Sequence, residues 1–141
     1  MSLYKQYKTD SSKENDGIEV EFHDAENDDE TIPTFMIARM GPSNKAYQRE
    51  LESATRPYRR QIELGSFTNK KAEPIFIKVF VKTILKGWRN VQDEHGNLIE
   101  FNEQNAIKLL TDLPDLYKLL SEQAADLSNF RIAGLEQDAK N

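Results

Sequence analysis

Few side chains in this 141-residue chain are equipped for chemistry. Cysteine is absent, which removes thiolate nucleophiles, disulfides and the usual structural zinc sites, and is compatible with a reducing cytoplasm. Histidine occurs only at His23 and His95. No serine sits in a glycine-rich elbow beside a base, and neither a Walker-type loop nor a GxGxxG fingerprint is present. His23 borders an acidic stretch and His95 stands in a turn, so both are expected to be solvated surface groups. No enzymatic activity and no cofactor are expected.

Metal and nucleic acid are the remaining chemical options. Between Asp93 and Asn102, acidic and amide oxygens gather around Gly96. A calcium loop aligned on that glycine would begin at Val91 and end at Asn102, where carboxylates are required. A tight turn is expected instead, with Asp93 and Asn97 bonding local backbone. The carboxylates of His23 to Glu30 (HDAENDDE) repel one another and suit a solvated loop tip rather than a metal site. Arg56, Arg59 and Arg60, with Tyr58 between them, form the strongest basic cluster. They could touch phosphates, but a formal net charge of -5 disfavours a general attraction to nucleic acid or anionic lipid. The segment PDLYKLLSEQAADL, which could pass for the second helix of a helix-turn-helix, sets Asp115, Glu122 and Asp126 against Lys118 and would repel a phosphate backbone.

The elements that hold these groups follow from periodicity. The densest apolar run is Ile75 to Trp88, IFIKVFVKTILKGW. Ile75, Ile77, Val79 and Val81 alternate as in a strand, but Lys78, Lys82 and Lys86 recur every four residues. Ile77, Phe80, Val81, Ile84, Leu85 and Trp88 then cover the rest of a helix, and a nearly buried helix is expected, with Pro74 in its first turn and Gly87 as its left-handed end. Ile18, Val20 and Phe22 alternate with Glu19 and Glu21 as a half-buried strand, and Thr34 to Ala38 reads as its antiparallel partner. Such a ribbon is barely stable alone and is expected to lie on the central helix.

After Pro42, Ser43 or Asn44 can cap a helix with Tyr47, Leu51, Ala54, Tyr58 and Ile62 in one stripe, kinked or divided at Pro57. Asn102 caps a further helix facing inward through Ala106, Leu109, Leu110 and Leu113. Pro114 opens another, with Leu116, Tyr117, Leu120, Ala124 and Leu127 inward. The expected class is α+β: a mostly helical single domain over residues 17–136, with an N-terminal β-hairpin at about 17–40, a short turn or hairpin at 90–101 and C-terminal helices. Residues 1–16 are polar and unpatterned and are expected to be flexible, and residues 137–141 to fray. No apolar run reaches the ~18 residues of a membrane span, and the first residues lack the apolar core of a secretory signal, so a cytoplasmic location is expected.

The block LKGWRNVQDEHGNLIEFNEQNAIKLLTDLPDLYKLL resembles the tail assembly chaperones of long-tailed bacteriophages and prophages. The likeness rests on Gly87-Trp88, Asn90-Val91, an acidic Asp93, a turn at Gly96, an apolar residue before Phe101, a capped helix holding Asn105, and Leu113-Pro114. Phe130 matches an aromatic near the family's end, and Asn102 stands where serine or threonine is usual, which preserves the capping chemistry. The likeness covers about the last 60 residues and is looser before Pro74. It implies a non-catalytic role in the host cytoplasm: binding the aggregation-prone tape measure protein and helping tail tube protein assemble around it, with self-association as an option. Tyr117, Leu127 and Phe130 are candidates for a part-exposed grip on the client, tuned by Arg56, Arg59 and Arg60. Other classes that fit are a minor tail structural or adaptor protein and a small DNA-binding regulator. Trp88 is expected to pin the Gly96 turn through its indole N–H, with Phe101 in the same cluster.

Overall fold

The computed structural model describes residues 2–24 and 30–132. The first segment is not patternless. It forms two short helices, α1 (Leu3–Tyr7) and α2 (Ser11–Asp16), the second capped by the Asp10 carboxylate, which accepts from the Ser12 amide at 2.9 Å. Long-range bonds attach α2 and the two residues before it to the body. Asp10 N donates to the Phe130 carbonyl at 2.8 Å, Thr9 bridges to Arg131, and Lys13 Nζ donates to the Arg131 carbonyl at 2.8 Å. Glu14 accepts from the Thr9 hydroxyl at 2.6 Å and from the Arg39 guanidinium, and Arg39 N donates to the Glu14 carbonyl at 3.1 Å.

This clasp sets a pH dependence. Burial pushes the Glu14 carboxyl up, but its bonds to Thr9, Arg39 and Ser43 together outweigh that and hold it below its ordinary value. The unfolded chain therefore binds the proton first on acidification. The clasp contributes fully above the usual glutamate pKa of about 4.3, and its contribution is lost as pH falls below that value. Glu14→Gln should flatten the acid limb of a stability-versus-pH curve from urea denaturation; an unchanged limb would show that Glu14 is not its source.

The hairpin forms as its alternation requires. Strands β1 (Ile18–Glu21) and β2 (Thr34–Ile37) are antiparallel, pairing Ile18 with Ile37 and Val20 with Phe35. Gly17, at φ 102, brings the chain into β1 so close to β2 that an added Cβ would lie 3.0 Å from the Ile37 carbonyl oxygen. Residues 25–29, most of the acidic tip, lie outside the described residues.

Pro57 divides the next helix as expected. α3 (Lys45–Thr55) passes through a single 3-10 turn, Arg56–Tyr58, into α4 (Arg59–Glu63). Asn44 is the cap, accepting from Tyr47 N at 3.0 Å. Tyr47, Leu51, Ala54 and Tyr58 are half-buried as one stripe, but Ile62 is exposed.

The central helix α5 runs Asn69–Thr83, starting and ending earlier than its apolar run suggests. Thr68 caps it, accepting from Lys71 N. Pro74 is therefore inside the helix rather than in its first turn, where it removes one backbone donor. A proline in a helix interior costs about 3 kcal/mol relative to alanine, while its rigidity returns up to about 1 kcal/mol through the unfolded chain. Pro74→Ala should thus stabilise the protein by about 1–2 kcal/mol in urea denaturation; a loss of stability would show that the ring's packing matters more than the missing bond.

Beyond Ile84 the chain turns directly into β3 (Leu85–Arg89), which pairs antiparallel with β2. Leu85, Lys86, Gly87 and Trp88, expected on the helix, are strand residues. Two physical causes decide this. Gly87 and the β-favouring Trp88 weaken any helix there, and β2 has a free edge whose buried amides and carbonyls need a second partner. Phe35 pairs with Trp88 and Met36 with Gly87, but Ile37 pairs with Leu85, leaving Lys86 as the extra residue of a bulge. Gly87 is not a left-handed cap. The left-handed residue is Asn90, at φ 61, held by donating to the Glu30 and Ile32 carbonyls at 2.9 and 3.0 Å.

Two helices complete the core. α6 (Glu103–Asp112) is capped by Asn102, which accepts from Asn105 N at 2.8 Å, and α7 (Pro114–Ala125) opens on its proline. One face of the sheet, through Phe35 and Ile37, packs with Ile77, Phe80, Val81 and Ile84 of α5, Ala106 and Leu110 of α6, and Leu120 and Ala124 of α7. The sheet order is β1-β2-β3, and on the other face Arg89 forks onto Glu19 at 2.9 and 3.1 Å. The α+β class and the hairpin are as expected; among the described residues no helix is long and apolar enough to cross a membrane.

Candidate partner-binding surface

The motif residues converge on Trp88. Its indole N–H donates to the Ile99 carbonyl at 3.0 Å, and its ring meets Phe35 and Phe101 edge-on at 5.9 and 5.1 Å. The turn it holds is closed by the bridge between Gln92 and Leu98 and by Gly96 at φ 82. Asp93 organises the turn, accepting from His95 N at 2.9 Å and Asn97 N at 3.0 Å. The Asn97 amide, then the other donors around it, hold the Asp93 carboxyl below its ordinary value. The oxygen cluster is thus occupied by backbone, and among the described residues no group of three or more metal-ligating side chains exists. His95 lies 3.6 Å from Glu94, and His23 lies 2.9 Å from Glu21, each well exposed.

The six residues proposed for the grip separate into unequal groups. Phe130 is fully buried, at 0% exposure, in a 3-10 turn (Leu127–Phe130) under the Asp10 bond, so it is core and not a part-exposed contact. The linker between α1 and α2 bonds to its backbone, a long-range contact the sequence did not foretell. Leu127 is half-buried. Tyr117 is half-buried against Phe80, ring centroids 5.5 Å apart and perpendicular, and burial pushes its phenol up. Its neighbours Phe76 and Pro114 line a shallow recess between α5 and α7 of about 370 Å³. Arg56, Arg59 and Arg60 lie exposed where α3 passes into α4, and Arg56 reaches Glu52 at 3.4 Å. Neither this cluster nor Leu127 lines the recess beside Tyr117.

One concavity was missed. An open groove of about 690 Å³ runs between α6 and the Trp88-pinned turn, floored by Ile99, Leu109 and Leu113 and rimmed by Asp93, Glu94 and Asp112. It shares Gln92, Asp93, Leu109 and Leu113 with a second hollow of about 370 Å³ that reaches Phe22, Pro33 and Leu116. Leu113, expected in the α6 core stripe, is 48% exposed because the helix ends there: Pro114 forces it to φ -122, ψ 74. That restriction was the available signal. Leu98 at 70%, and Leu3 and Tyr4 at 71% and 80%, add exposed apolar surface.

Residues 42–141 match the family described as YdaY prophage protein. Comparisons with curated proteins and with solved structures gave no match. The matched region runs from the start of α3 through the Trp88 cluster and both C-terminal helices, well over half of the chain. The chain therefore belongs to the YdaY prophage protein family.

Proposed function

We propose that this prophage protein is a tail assembly chaperone, which binds the tape measure protein in the host cytoplasm, keeps it from aggregating and promotes assembly of the tail tube protein around it, without catalysis and without a cofactor. The observation that carries the proposal is the overlap of the prophage-family match over residues 42–141 with the block from Leu85 to Leu120 that resembles such chaperones. Its physical form agrees with that role. A holding protein needs apolar surface left open on a stable body, and here the Trp88 clamp fixes a turn beside open, apolar-floored hollows. Size-exclusion chromatography with tape measure fragments from the same tail operon tests it. Co-elution is expected; separate elution of every fragment would contradict it.

A further inference from the structure

We infer that the groove between α6 and the Trp88-pinned turn is the seat of one amphipathic helix from the client, with leucine-like side chains on its inner face and lysine or arginine along its flanks. The inference rests on the chaperone proposal for the identity of the client, and on the groove alone for its chemistry.

Three observations select this occupant. The first is the floor: Leu109 and Leu113 lie one helical turn apart, about 6 Å along α6, and Leu116 continues the apolar line into the adjoining hollow. A partner helix laid along them meets them with residues at i, i+3 and i+4. The second is the rim. Asp93, Glu94 and Asp112 face one cation, Lys108, and Lys108 is already bound to Asp112 at 2.7 Å. The two carboxylates on the turn side, Asp93 and Glu94, feel Lys108 only at longer range, so three acidic groups share one lysine. The Asn97 and His95 amides also hold the Asp93 carboxyl below its ordinary value. Charge complementarity therefore calls for a basic flank and penalises an acidic one. The third is rigidity. The turn wall is fixed by the Trp88–Ile99 bond and by Asp93's own amides, so the groove exists before its occupant arrives and little ordering cost falls on this side.

The full chain is titrated by fluorescence anisotropy with two helical peptides of about 20 residues, long enough to hold helix. They share leucines at helical spacing and differ only in flanks, lysine in one and glutamate in the other. The lysine peptide should bind, and tighter at low salt; the glutamate peptide should bind at least about tenfold more weakly. Leu113→Asp and Glu94→Lys should each weaken the lysine peptide by about tenfold, while Glu122→Lys, the same charge reversal on α7, should not. Thermal melting checks that each variant is folded; both groove residues are well exposed. Equal binding of the two peptides, or unchanged affinity in both folded groove variants, overturns the inference. So does a sedimenting dimer that the lysine peptide cannot displace, since the groove would then hold a second copy. Retention of tape measure fragments separates the two levels: if wild type and groove variants retain them equally, the groove is wrong and the chaperone proposal stands. If wild type retains none while the peptide binds selectively, the client is wrong and the groove stands.

Discussion

Replacing Phe80 by alanine should cost about 3–5 kcal/mol of folding stability and lower the melting temperature by at least about 10 °C. Phe80 is 1% exposed and lies where the sheet, α5 and the C-terminal helices meet, its ring perpendicular to that of Tyr117 at 5.5 Å. Truncation removes the transfer free energy of the ring and leaves a void that close-packed neighbours from separate elements cannot all move to fill. The control is on the same helix. Phe76 is 38% exposed, so Phe76→Ala should cost about 1 kcal/mol or less. Urea unfolding followed by circular dichroism distinguishes them; equal losses would place the core elsewhere.

Trp88 offers the second large effect, and two substitutions divide it. Trp88→Ala removes the ring from between Phe35 and Phe101 together with the bond to the Ile99 carbonyl, and should cost about 3 kcal/mol. Trp88→Phe keeps an aromatic edge in the cluster but leaves the Ile99 carbonyl without its donor, a loss of about 1–2 kcal/mol. The two changes should also differ in locality. Hydrogen exchange of the Asn97 and His95 amides, which bond to Asp93, should speed up in both variants, while the Phe80 region should remain protected in Trp88→Phe. If Trp88→Phe leaves the turn amides fully protected, the indole does not pin the turn.

How far the sequence disclosed this architecture depends on the range of the interactions involved. Local chemistry was legible. Asn44 and Asn102 cap the helices they precede, Pro57 divides α3 from α4, Asp93 and Gly96 form a turn, and the alternation from Ile18 gives a strand. Nonlocal pairing was not. Through Ile84 the helical period places Ile77 and Phe80 on one buried face, as found; what makes Leu85–Arg89 a strand is the free edge of β2, about 50 residues earlier. The α1 and α2 segment has little apolar content and is placed by Thr9, Asp10 and Glu14 reaching Arg131, Phe130 and Arg39. Phe130, whose carbonyl accepts from Asp10 N, is fully buried and so is not a part-exposed contact. The groove escaped notice because its walls come from a turn and a helix end, where Leu113 is turned outward by the proline after it.

The Trp88 block joins the two levels. It carries the resemblance to tail assembly chaperones, it lies inside the prophage-family match, and it builds one wall of the groove beside α6. Stability and the proposed function therefore meet in the same turn, and a variant such as Leu113→Asp, which leaves the clamp intact, separates them.

The most direct measurement is the soluble yield of the tape measure protein encoded in the same tail operon, expressed alone and together with this chain. The chaperone proposal predicts that the tape measure protein aggregates alone, and that coexpression moves it into the soluble fraction in complex with this chain. An unchanged soluble yield, with no complex recovered, would contradict it.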